Sequence, residues 1–442
     1  MELGFARRIL PAILAAGFAI GASSAASAAP ALHIKFKNSS GLADSDVYVG
    51  FIGGAGTQFK ATNIATGKNL ALSQYQHEHW YKLSTLPSGI SLKTFTGGRI
   101  YVGYGKPWTI MNSGYEPPPA VSTDPNYLLR YDKMEMTYTG DPADVADTTS
   151  IDYFSIPLAL KVYKGGTSGK LVGSVTGSPV DTTVTALRAA TSPSGGAKVN
   201  KGSDFVRMIG PGVYPPPPGL PASPYNDFQS YLSYLHKIYG PTHGKVIAKI
   251  KGHFAGVGAG GSATTSAQDY DFTASIDGKL NIELKGSGSV IGKHTLLITD
   301  AALVSPTGIY GANPMFSIDG ASPISPQNDV YGWIVGDLLA GLNIGAVGST
   351  VVPKGQTKEA GQMDSQQWFK LKDFFAALQP HDKNYYNRWA AALAPISQAY
   401  NFAYSDRFAH VVATLNPGAP SYVDTLQIVF LPKTGPAAAV TR

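Results

Sequence analysis

The chain has 442 residues, of which only 14% are charged, with a formal net charge of +6, 24 Tyr, 50 Gly and no Cys. The missing cysteines exclude thiol catalysis, thiolate zinc sites and disulfide staples, so the fold must rest on burial and hydrogen bonding. The Lys and Arg residues form no run, which excludes the clustered stripe of a nucleic-acid binder and suits work on a neutral polymer.

At the start, Arg7 and Arg8 precede an apolar stretch from Ile9 to Ala22, followed by Ala26-Ser27-Ala28. That order predicts a signal peptide over residues 1–28, cleaved near Ala28, and a secreted or periplasmic protein. No later stretch offers ~18 consecutive apolar residues, so no membrane contact is expected after cleavage.

The mature chain then reads as strands. Leu32–Lys37 and Val47–Ile52 alternate apolar and polar residues, and Gly98–Tyr104, Leu128–Tyr138, Ile151–Tyr163 and Leu171–Thr176 follow between Gly, Asn, Asp and Pro clusters. Short strands at this spacing predict a sandwich or barrel over 29–180. A mixed α/β region is expected over 181–415. It contains a β block at 245–300, running from Lys245–Phe254 through Tyr270 to Leu284, whose assignment is open. Gly256–Gly261 reads as a flexible hairpin loop, not a dinucleotide fingerprint, because strands and no capped helix follow it. Helical periodicity predicts helices over Val330–Leu342, over Trp368–Leu378 with Asp364 or Ser365 as cap, and over Tyr385–Leu393. Thr425–Leu431 supplies a last strand within 416–442. Strands first and helices later make the class α+β, β-dominated. Two Pro-rich segments, Tyr115–Pro119 and Tyr214–Gly219, read as stiff loops, either spacers or a rim.

Two lone carboxylates stand out in these strands. Alternation puts Glu135, Thr137 and Thr139 on one face of their strand and Met134, Met136 and Tyr138 on the other. Asp152 sits among Ile151, Tyr153 and Phe154. An arbitrary strand Glu faces water. As a pair on neighbouring strands, however, one carboxyl could protonate a leaving glycosidic oxygen while the other takes a proton from water. A separation of ~6.5–9.5 Å would give inversion and a closer pair retention. His77-Glu78-His79 lacks a further ligand at recognisable spacing, and Asp269, Asp271 and Asp277 lack the terminal Glu of a calcium loop, so no metal is expected. No Gly-x-Ser-x-Gly elbow occurs.

Several segments, in collinear order over most of the mature chain, resemble glycoside hydrolase family 64, the inverting β-1,3-glucanases related to thaumatin-like proteins. They are Gly98–Pro107, Glu135–Tyr138, Ile151–Pro157, Phe205–Pro211, Leu339–Asn343 and Ala399–Asp406. The resemblance implies a thaumatin-like β-barrel or sandwich domain beside a mixed α/β domain, with a wide glucan groove between them. It assigns Glu135 as general acid, Asp152 as general base and Thr137 as a sugar contact. Asp406 matches the second Asp of a Tyr-Asp-Asp element. Thr139, Arg99, Tyr101 and Tyr404 complete the expected substrate-binding set, and Tyr104, Trp108 and Tyr138 are further candidate aromatics for the groove. The implied ligand is β-1,3-glucan, no cofactor is required, and a monomer is expected.

The sequence departs from the family at Ser405, which replaces the first Asp of that element, and at Thr139, which replaces an Asn. A Trp is missing from Gly140–Ser150, and Ile344 replaces a basic residue. These departures leave open a non-catalytic thaumatin-like glucan-binding protein, or a structural surface protein.

Overall fold

The computed structural model describes residues 30–437 and 440, apart from 55, 74–78, 110–114, 215–222, 258–260, 312, 372–373, 376–384, 409–410 and 417–422. The expected signal peptide, His77, Glu78, most of the second Pro-rich segment and Leu378 lie outside the described residues.

The largest unit is a twelve-stranded sheet. Its path runs Lys170–Val175, Leu158–Lys164, Thr425–Phe430, Leu32–Asn38, Ile90–Tyr104, Arg130–Tyr138, Val145–Thr148, Ala413–Thr414. The last of these strands approaches the first two, so the sheet curls into a nearly closed barrel. The first strand of the described chain pairs in parallel with the last, Phe36 opposite Ile428, which returns the C-terminal segment to the barrel wall. The fifteen-residue strand Ile90–Tyr104 pairs with four others, among them Leu32–Asn38 at its start. Its first part pairs with Phe59–Asn63 and its second with Val47–Gly53, with a register shift between Phe95 and Gly98 where it pairs with Arg130–Tyr138.

Alternation explains the barrel interior. Ile34, Phe51, Ile100, Val102, Met134, Met136, Tyr138, Leu160 and Ile428 all lie within 2% of full burial and pack in one core. A smaller aromatic cluster, Trp80, Tyr101, Trp108, Tyr131 and Tyr153, covers the opposite side of the wall.

The second half has its own, larger core. An antiparallel five-stranded meander, Ala248–Phe254 through Phe316–Ile318, packs one face on the helix Val330–Ile344. That helix starts at an Asp329 cap and ends at Gly345 with φ 76°. Every residue of it except Trp333 is buried, as expected of a helix apolar on all sides. Of the Gly-rich segment at 256–261, residues 258–260 lie outside the described residues; the segment falls between the antiparallel neighbours Ala248–Phe254 and Gln268–Ile276.

Three expectations need correction. The strand expected over Ile151–Tyr163 is broken: Tyr153–Phe154 joins a separate three-stranded sheet with Lys198–Lys201 and Asp204–Ile209, and only Leu158–Lys164 enters the barrel. Pro157, which has no N–H to donate, lies between the two pieces. Of the helix expected over Trp368–Leu378, the described part is Ser365–Trp368, capped by Asp364 with a reciprocal Gln367 bond; Leu371 is buried but not helical, Phe374 and Phe375 lie buried in a short 3-10 turn, and 372–373 and 376–378 lie outside the described residues. The third expected helix is Arg388–Leu393, with Asn387 as its cap. Sequence reading missed the helices Val180–Arg188 and Gln229–Tyr239. Tyr231, Leu232 and Leu235 of the latter face the core at helical spacing.

Trp389 ties the two halves together: it is fully buried and its Nε1 donates to Ser150 O at 2.9 Å. We expect Trp389→Ala to cost ~3–5 kcal/mol in chemical denaturation. Trp389→Phe, which keeps an aromatic ring but gives up part of the indole and the hydrogen bond, should cost less, ~1–3 kcal/mol.

Candidate active site

The strand Arg130–Tyr138 carries the candidate acid in the barrel wall. Met134, Met136 and Tyr138 face the core, which turns Lys133, Glu135 and Thr137 to the other face. Pairing then fixes their neighbours. Arg99 lies opposite Glu135 and Tyr101 opposite Lys133 on one side, and Asp147 lies opposite Glu135 on the other. This outer face is a partly dry one: Lys133 is 5% exposed and Asp147 4%.

Each candidate catalytic carboxylate meets a cation. Arg99 Nε donates to Glu135 Oε1 at 2.9 Å, and its Nη1 pairs with Glu116 Oε1. Lys133 Nζ donates to Asp152 Oδ2 at 3.2 Å. Glu135 is thus held by a cation of the neighbouring strand, and Asp152 by Lys133, two residues from Glu135 on its own strand.

Asp152 lies in a bend, not in a strand as expected, and the backbone around it is clamped. Gly210 N donates to Asp152 O at 2.7 Å. A Cβ at Gly210 would come within 2.4 Å of Ile151 O, so this close approach requires glycine. On the far side, Asp132 Oδ2 accepts from Ser155 N at 2.8 Å and Ile156 N at 2.9 Å, and Arg130 Nη2 donates to Ser155 O at 2.8 Å.

The expected substrate-binding residues divide. Thr137 is half-buried beside Glu135, and its Oγ1 accepts from Gly97 N at 3.0 Å. The Thr139 hydroxyl donates to Asp144 Oδ1 at 3.0 Å. Asp144 Oδ2 also accepts the N–H groups of Thr139, Gly140 and Asp141, so one carboxylate of the acidic segment closes its own turn. Asp406 lies close enough for its charge to act on Asp147, and its Oδ1 is buried without a hydrogen-bond partner among the described residues. Its neighbour Arg407 places Nη1 3.8 Å from Asp406 Oδ2, and is anchored by Nε on Asp337 Oδ1 at 3.0 Å with its guanidinium 3.5 Å from the centre of the Trp333 ring.

The aromatics expected to offer ring faces are mostly buried. Tyr101 is 2% exposed with its hydroxyl on Glu116 Oε2 at 2.9 Å, Trp108 is 1% exposed, and Tyr404 is 7% exposed with its ring against Gly336. Their apolar rings serve the core, which leaves carboxyls and hydroxyls as the polar surface near Glu135. Outside this site, His79 Nδ1 lies 2.7 Å from Leu72 O. Asp269 pairs with His253, Asp271 with Lys251, and Asp277 accepts from Lys279 N and Asn281 N.

Four residues that sequence reading passed over belong here: Lys133, Asp147, Glu116 and Asp132. Lys133 had a signal, since it shares a face with Glu135 by alternation. Asp147 is inseparable by sequence from the neighbouring acids, and Glu116 sits in a Pro-rich segment.

Burial governs their ionisation. It pushes Asp132 up to about 7 against the pull of three backbone N–H groups. It also raises Asp147 well above the ordinary range, reinforced by repulsion from Glu135 and Asp406 and opposed by Lys133 and Arg99. For Glu116, burial works upward but Arg99, Lys133 and the Tyr101 hydroxyl outweigh it, and the carboxyl is held low. Arg99 itself is held above its ordinary value, because Glu116 and Glu135 outweigh its burial.

Comparison with known proteins decides the family. The family model described as β-1,3-glucanase, glycoside hydrolase family 64, matches residues 30–261. The chain belongs to this family. It is therefore a glycoside hydrolase by membership. Two solved structures share the fold. One is a laminaripentaose-producing β-1,3-glucanase in complex with laminaritetraose, 15% identical, covering 92% of this chain and 100% of that one with a TM-score of 0.54. The other is a β-1,3-glucanase domain of family 64 from Clostridium beijerinckii, 17% identical, covering 91% and 98% with a TM-score of 0.53. No curated protein matches the sequence at a significant level.

The raised carboxyls give the pH dependence of stability its sign. An unfolded Asp titrates at about 3.9. Between there and about 7, Asp132 and Asp147 bind more protons in the folded state, so stability falls as pH rises through that window. Below it, protonation of Glu116 works the other way. The melting temperature should therefore drop from about pH 4.5 to about pH 7.5, with a shallower slope in Asp132→Asn and Asp147→Asn. A rise across that window would contradict the assignment.

Proposed function

We propose that this protein is an exported endo-β-1,3-glucan hydrolase that works with inversion. Glu135 gives its proton to the leaving glycosidic oxygen, and Asp152 takes a proton from the water that attacks the anomeric carbon from the opposite face. The observation that carries the reading is the placement of both carboxylates against one strand of a family 64 chain, each on its own cation. The Lys133 ammonium compensates the Asp152 charge and fixes its direction, as a base that must aim at one water requires. On this reading Thr137, on the strand face of Glu135, and Asp406, whose charge reaches Asp147, meet sugar hydroxyls.

The substrate on this reading is a neutral β-1,3-glucan. It lies in a groove of the thaumatin-like type, between the barrel wall and the region carrying Asp406. The structural relative solved with laminaritetraose supports this ligand class. The basic and apolar start of the chain supports export with cleavage near Ala28, and the mature protein acts as a monomer without a cofactor.

Incubation of the mature protein with laminarin, followed by NMR of the anomeric protons, tests this reading. The first product should be the α-anomer. Glu135→Gln and Asp152→Asn should each lower kcat by ~10²–10⁴-fold while laminarin binding persists. Absence of release from every form, with laminarin still retarding the protein in affinity electrophoresis, would instead establish a glucan-binding module. Lys133→Met should lower kcat by ~10–100-fold with little change in KM, because it releases the base and spares the sugar contacts.

A further inference from the structure

The Pro-rich segment Tyr115–Pro119 is tied down beside Glu135, unlike a simple spacer. The Tyr115 hydroxyl donates to Asp124 Oδ2 at 2.6 Å and accepts from Asn126 Nδ2 at 2.7 Å. The Tyr131 hydroxyl donates to Pro117 O at 3.0 Å. Between these anchors the Tyr101 hydroxyl and Arg99 Nη1 each hold one oxygen of Glu116. The result is a row of three charges, Glu116, Arg99 and Glu135, with one guanidinium shared by two carboxylates.

Such sharing matters for an acid catalyst. A guanidinium at hydrogen-bond distance favours the charged form of a carboxyl, whereas a proton donor must spend part of its cycle neutral. We propose that Glu116 is a positioning residue for the reaction: by occupying the outer end of Arg99 it limits that cation's hold on Glu135, so that Glu135 is kept in place and still carries the proton it donates. This rests on the reading of Glu135 as the acid. Other charged groups also face Glu135. Lys133 lies on its own strand with Nζ on Asp152, and Asp147 lies across the ladder, itself acted on by Asp406 from the turn Ser405–Arg407. Among the described residues, none of these makes an ion pair with Arg99; Glu116 and Glu135 do.

The sign follows from the charges. Removing the Glu116 charge leaves Arg99 to Glu135 alone and takes a negative charge from the neighbourhood, and both changes favour ionised Glu135. The alkaline limb of kcat/KM reports loss of the proton from the free enzyme's acid. Glu116→Gln should therefore move that limb down by about one pH unit, a loss of ~10-fold at fixed pH on the limb, with the acid limb unmoved. Arg99→Met should move the alkaline limb up. Glu116→Asp, which keeps the charge, should leave the limb where it is and so separates a charge effect from damage to the loop.

The experiment is the pH profile of laminarin hydrolysis for these variants, with Glu135→Gln alongside and melting temperatures recorded for each. Opposite displacements in Glu116→Gln and Arg99→Met, with Glu116→Asp unmoved, are the expected result. An unmoved limb in Glu116→Gln, or displacements of the same sign in that variant and Arg99→Met, overturns the role of Glu116. If Glu135→Gln is also inactive, the acid assignment stands on its own. Full activity of Glu135→Gln removes that assignment and this proposal with it.

Discussion

The two-faced strand Arg130–Tyr138 is the constraint on which the site depends. One face is locked in the barrel core by Met134, Met136 and Tyr138, so the register of the strand cannot slip without driving Lys133 and Glu135 into apolar surroundings. Two flanking strands then deliver Arg99, Tyr101 and Asp147 to fixed positions around Glu135 by pairing alone. Backbone hydrogen bonds set these positions, and side-chain packing only refines them. That is the kind of rigid support a reacting carboxyl needs.

The same strand also fixes what is not on it. Asp132 points to the core side and takes the N–H groups of Ser155 and Ile156, while Lys133 points to the other side and takes the Asp152 carboxylate. Adjacent residues on opposite faces thus hold one segment at two points. Gly210 closes it from a third direction, so Asp152 is positioned from a bend that no ladder supports.

Electrostatics at this face follow from scarcity. Six carboxyls, Glu116, Asp132, Glu135, Asp147, Asp152 and Asp406, lie on or behind it, with Arg99 and Lys133 paired to Glu116, Glu135 and Asp152, and Arg407 lying between the buried Asp337 and Asp406. In this partly dry setting Asp132 and Asp147, which have no ion pair among the described residues, are raised. An acid-rich, partly neutral surface offers both donors and acceptors, which suits a neutral polyhydroxylated ligand better than a charged one.

The sequence by itself determined the β-dominated class, the alternation that turns Glu135 away from Met134 and Met136, and the buried helix over 330–342. Each of these is a local pattern with its own period. It also carried the collinear segments that resemble family 64, including the two carboxylates. What it left out depends on residues distant in the chain. The break between Tyr153–Phe154 and Leu158–Lys164 follows from the docking of the first piece on Gly210 and the strand Asp204–Ile209. The burial of Tyr101, Trp108 and Tyr404 follows from packing, which an aromatic residue type does not announce. Only the tertiary structure decided that Lys133 meets Asp152, that Asp147 faces Glu135, and that Glu116 in a proline-rich loop shares Arg99. Charge pairing across strands and loops depends on register and closure, and neither leaves a period in the sequence.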